Sequence, residues 1–133
     1  MSVKRFRHHH LSNNAILTVC TSLDHDKKEV KVGWAIFNPN DQRWDRKYGN
    51  QLALHRLTYH PLRFIMTEDE PIVCDYISLR ALCVILVATC EKEDEHHPSC
   101  IPLTTKQAIQ LEMVKIVGFL GTRCNLNDII IIV

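Results

Sequence analysis

The chain has 133 residues, 46% hydrophobic and 23% charged, with six cysteines and a formal net charge of +1. That is the size of one ordinary domain and the composition of a soluble globular protein, with no run of about eighteen apolar residues to span a membrane. The first fourteen residues lack the apolar stretch of a secretory leader, so a cytoplasmic protein with reduced thiols is expected.

The small net charge hides an asymmetry. Residues 1–63 carry eleven Lys/Arg against five Asp/Glu, and residues 64–133 carry five against ten. One half offers a positive field and the other a negative one, which suits anion capture by the first half or head-to-tail self-association. Two solvated faces of one domain would give the same counts.

Taken in chain order, residues 1–14 (MSVKRFRHHHLSNN) read as a flexible basic arm, and residues 15–133 as a single globular domain. The alternation in AILTVCTS predicts a strand over 15–22, and LDHDKKE a polar turn over 23–29. Val30, Val32, Trp34 and Ile36 then alternate with Lys31, Gly33, Ala35 and Phe37, the period of a second, half-buried strand. The short link favours an N-terminal β-hairpin.

Asn38-Pro39-Asn40-Asp41 predicts a helix start, with Asn38 as cap, Pro39 in the first helical position and Asp41 near free backbone N–H groups. The helix runs to about Leu57, with Trp44, Tyr48, Leu52 and His55 on one side and Arg43, Arg46, Lys47 and Asn50 on another. Residues 62–66 predict an edge strand between Pro61 and Pro71, and residues 74–90 a largely buried helix, although the β-branched VILVAT portion also suits a strand. Residues 91–103 form a loop. TTKQ at 104–107 reads as a capping box, opening a helix whose stripe is Ile109, Met113, Ile116, Val117 and Leu120 and whose stop is Gly121. DIIIIV at 128–133 has the character of a central strand. The expected fold is an α/β (α+β) layered domain with an N-terminal hairpin, about three helices and a C-terminal central strand.

A strand running into a helix start with basic residues behind it suits an anion. Free N–H groups attract negative charge, and Arg43, Arg46, Lys47 and Arg56 supply charge-assisted donors to phosphate. Trp44 or Tyr48 would stack on a ring. Gly33 and Ala35 leave room for a ligand or, as is commoner at a strand-then-helix corner, for a helix packed on the sheet. Trp44 and Tyr48 lie about 100–140° round the helix from Arg43, so a single-chain site does not gather all these groups. Elsewhere, Cys90, His96, His97 and Cys100, with Cys124 as a further candidate, supply zinc-type donors without any paired C-x2-C spacing, and a solvated loop tip over Glu91 to Glu95 explains the segment as well. No nucleophile signature, P-loop, G-x-G-x-x-G or H-E-x-x-H is present.

Gly33, Ala35, Asn38, Pro39 and Asp41, followed by Gly49, Ala53 and Arg56, form a string G-x-A-x-x-N-P-x-D…G-x-x-x-A-x-x-R. It resembles a motif of small phage-encoded anti-defence proteins, in particular the Thoeris anti-defence protein 1 type, over about a fifth of the chain. That resemblance implies a non-catalytic sponge that binds a cyclic ADP-ribose-like signal without a cofactor, assembles as a homo-oligomer and places ligand between subunits. On this reading Arg43, Lys47 and Arg56 carry phosphate charge, Trp44 or Tyr48 stacks on the base, Asn38 and Asp41 shape the corner, and Asp41 meets a ribose hydroxyl. The rival readings are an inhibitor that contacts a host enzyme through a surface patch, a nucleic-acid binder using the KRFRHHH arm, and an enzyme acting on a nucleotide. The modest net charge argues against nucleic acid as the main partner.

Overall fold

The computed structural model describes residues 3–37, 45–89 and 101–121. They form an α+β fold: an antiparallel sheet accompanied by three helices. The strands are β1 (Val3–His10), β2 (Ile16–Asp24), β3 (Glu29–Phe37) and β4 (Leu62–Ile65), and the helices are α1 (Arg46–Tyr59), α2 (Cys74–Ala88) and α3 (Leu103–Gly121). The chain divides into two compact units, residues 1–66 and 67–133.

In the first unit the sheet order is β1-β2-β3-β4, each pair antiparallel. The expected arm is corrected here: residues 3–10 are a strand, in register with β2 from Val3↔Leu23 to His10↔Ile16. Apolar alternation hides it, because only Phe6 and Val3 are apolar among VKRFRHHH. What makes the strand is the turn after it. Asn14 takes a positive φ of 68°, which Asn tolerates, and Leu11 N donates to Ala15 O at 2.9 Å. The β2–β3 hairpin closes on Asp24, whose Oδ1 accepts from the N–H groups of Asp26 and Lys27 at 3.0 and 3.3 Å.

The register puts Phe6, Cys20 and Gly33 in one row and His8, Thr18 and Ala35 in the next, all on the face that carries α1. On the opposite face Leu17, Val19, Val30, Val32 and Phe64 are buried. Two apolar faces explain why β2 and β3 tolerate few exposed side chains.

α1 begins later than its sequence suggests. Asp45, not Asn38, is its N-cap, with its side chain accepting from Lys47 N at 2.9 Å. The expected start at 38–41 lies outside the described residues, as do the 128–133 strand and the Cys90, His96, His97 and Cys100 set.

In the second unit α2 packs against α3. Leu79, Leu82 and Ile85 of α2 are buried, as are Ile109, Met113, Ile116 and Leu120 of α3, at the helical spacing expected. α3 starts at Leu103, with Lys106 N donating to Pro102 O at 3.0 Å, so the expected capping box at Thr104 does not form the start. Lys106 instead reaches the C-terminal end of α2, where Nζ donates to Thr89 O at 2.6 Å. A cation there offsets the partial negative charge of the unpaired carbonyls.

A buried carboxylate ties residues 67–73 to α2. Glu70 Oε1 accepts from Thr67 N and Oγ1 at 3.1 and 3.2 Å, and Oε2 accepts from Tyr76 Oη at 2.6 Å and from Arg80 Nη1. Burial acts to raise the Glu70 pKa, but the bonds from Tyr76, Thr67 and Arg80 outweigh it and hold the carboxyl below its ordinary value. Its acceptor capacity is spent on structure.

Candidate functional site

α1 lies on the sheet through its smallest residues. Gly49, Ala53 and Leu57 form its buried stripe, one turn apart, over Cys20, Gly33 and Ala35. A Cβ on Gly33 would stand 2.8 Å from Leu57 Cα and closer still to Ala53 O and Leu57 N. The helix backbone therefore rests directly on the β3 backbone. The room that Gly33 and Ala35 leave is taken by α1, the helix-on-sheet alternative of the two that the sequence offers, and not by a ligand.

Arg56 belongs to the same seat. β4 pairs β3 only from Glu29 to Val32, so beyond it the β3 edge has no strand beside it among the described residues. Arg56 Nη1 donates to Trp34 O at 2.8 Å across that edge, and its guanidinium lies 5.0 Å from the Trp34 ring centroid. Burial lowers the Arg56 pKa from its ordinary value, with the nearby Tyr48 opposing.

An open groove lies on the other flank of α1, between the first turns of the helix and β1. It is shallow and open, about 470 Å³ in volume, and is lined by Phe6 from β1 and by Asp45, Arg46, Lys47, Asn50, Gln51 and Leu54. Phe6 is 39% exposed, an accessible ring on an otherwise polar strand. Arg46 and Lys47 occupy the first turn of α1, which holds no acidic residue, where the helix dipole is positive. Among the described lining residues Asp45 is the one carboxylate, and it is engaged by Lys47 N. The groove thus combines an aromatic face, two cations and two carboxamides.

Of the residues expected to meet an anion, Arg46 and Lys47 line this groove. Arg56 and Tyr48 do not: Arg56 sits at the β3 edge, and Tyr48 is 65% exposed on the outer side of α1 with Tyr59. There Tyr59 also meets His55, ring centroids 4.7 Å apart. Asn38, Asp41, Arg43 and Trp44 lie outside the described residues. Sequence reasoning missed Phe6, Asn50 and Gln51. The pair Asn13-Asn14 was the available signal, because a turn there folds residues 3–10 back along β2 and brings Phe6 beside α1.

Cys20, beneath α1, has its thiol pushed up to about 11 by burial, with Lys4 acting in the opposite sense, so it remains a protonated packing group. Among the described residues no group of three or more His, Cys, Asp or Glu is placed to hold a metal ion, and no helix is long and apolar enough to cross a membrane.

No protein-family model, curated protein or solved structure matches this chain. The functional reading therefore rests on the groove and on the residues that build it.

Proposed function

We propose that this protein is a non-catalytic binding protein that captures a small phosphorylated, ring-bearing ligand, of the cyclic ADP-ribose class, in the groove between β1 and α1. The observation that carries the reading is the convergence of Arg46 and Lys47 at the start of α1 with the exposed ring of Phe6. Phosphate would meet the two cations and the positive end of the helix, while the ring would lie on Phe6 and Leu54. Asn50 and Gln51 would bond the edges between them. The groove is open on one side, which agrees with a ligand completed by a second subunit of a homo-oligomer. In this reading the phage-type protein acts in the host cytoplasm by withholding the signal from its effector.

Native mass spectrometry of the unheated protein, after incubation with cyclic ADP-ribose isomers, tests this directly. An oligomer carrying ligand, released intact on heating, is the expected result. A bare protein overturns the reading, and a chemically altered ligand replaces it with an enzyme.

A second reading is favoured by one specific observation. Tyr48 and Tyr59 are both 65% exposed on the outer side of α1. Exposed aromatic residues there suit contact with a host protein, and such contact would leave the groove residues without effect on binding.

A further inference from the structure

His8 and Asn50 are 42 residues apart in sequence, yet His8 Nε2 lies 2.7 Å from Asn50 Oδ1. His8 is two residues beyond Phe6 on β1, on the same face of the sheet, and Asn50 is one turn beyond Arg46 on α1. The bond therefore ties the strand to the helix at the wall of the groove. With Oδ1 turned toward the ring, the carboxamide oxygen accepts and His8 Nε2 donates, an arrangement that calls for a proton on Nε2. Asn50 is itself a lining residue of the groove, and with Oδ1 turned to His8 its other end, Nδ2, carries two donor hydrogens.

We propose that His8 is a positioning residue for anion capture: it locks the Asn50 carboxamide with its N–H donors toward the groove, so that Arg46, Lys47 and Asn50 present a set of donors. The inference rests on the groove reading above. Without His8, the carboxamide is free to rotate and to present its oxygen, which repels phosphate. Asn50 would then lose a charge-assisted hydrogen bond, worth about a tenfold change in affinity. The ligand chemistry selected is phosphate or another oxyanion, and a cation or a neutral donor is disfavoured.

Long-range ¹H–¹⁵N spectra of the full chain near neutral pH report the His8 tautomer without any ligand. The Nε2–H form is expected, and the Nδ1–H form overturns the proposal. Titration with inorganic pyrophosphate then compares four proteins: wild type, Arg46→Ala/Lys47→Ala, His8→Ala and His8→Gln. The double variant should lose binding. His8→Ala should bind about tenfold more weakly, and His8→Gln, whose amide donates to the same oxygen, should recover most of that loss. Wild-type affinity in His8→Ala, alongside loss in the double variant, overturns the His8 role and leaves the groove standing. Unchanged binding in the double variant, or none in wild type, overturns the groove and this inference with it. The His8→Gln variant keeps the test decisive if His8→Ala fails to fold.

Discussion

The carbonyl of Ala53 occupies the space that a side chain on Gly33 would fill. Helix and sheet meet there backbone to backbone, and the placement of α1, with every groove residue it carries, follows from that contact. Gly33→Ala should displace or unseat α1 and cost at least ~2 kcal/mol, because the clash is with main-chain atoms that cannot rotate away. Gly118→Ala should act in the opposite sense. Nothing lies within 4 Å of a Cβ there, on an exposed part of α3, and the substitution should stabilise by up to ~1 kcal/mol. Urea unfolding of the two variants beside wild type checks both signs.

Glu70 makes stability depend on pH at the acid end. Its pKa in the fold is below the unfolded value, so the unfolded chain takes up its proton first as pH falls. The contribution is complete above the ordinary glutamate range, about pH 4–5, and is lost as pH falls through the lower folded value. Glu70→Gln should cost ~2–3 kcal/mol at neutral pH, by weakening the bonds to Tyr76 and Arg80, and should flatten the acid limb. Denaturant midpoints between pH 7 and pH 3 measure both effects.

Arg56→Lys should not substitute for arginine. A lysine cannot both bond Trp34 O and lie flat over the indole, so a loss of ~1–2 kcal/mol is expected by thermal unfolding. Ligand affinity should change little, because Arg56 lies on the far flank of α1 from the groove.

Lys106→Met removes the cation from the end of α2 while keeping the apolar stem. A loss of ~1 kcal/mol is expected, with amide exchange quickening first in the last turn of α2.

Much of the fold was legible because it follows period. Val30 to Phe37 alternates cleanly, and the buried positions of α3 recur at helical spacing. β1 was not legible, since Lys, Arg and His dominate it and its pairing is made by the backbone. The string that resembles a ligand motif reads differently in three dimensions. Gly33, Ala35, Gly49 and Ala53 are small because two backbones touch, and Arg56 is fixed by Trp34. Arg46 and Lys47 are legible from charge, and helical spacing puts Asn50 on their side of α1. Phe6 is not legible, because nothing local in the sequence says that it shares a groove with them.

Titration of ¹⁵N-labelled protein with ADP-ribose, followed by amide shifts, tests the groove most directly. Shifts that saturate at Phe6, Arg46, Lys47, Asn50 and Gln51, and vanish in the Arg46→Ala/Lys47→Ala variant, are the expected result. No saturable shifts, or shifts confined to Tyr48 and Tyr59 on the outer side of α1, would contradict it.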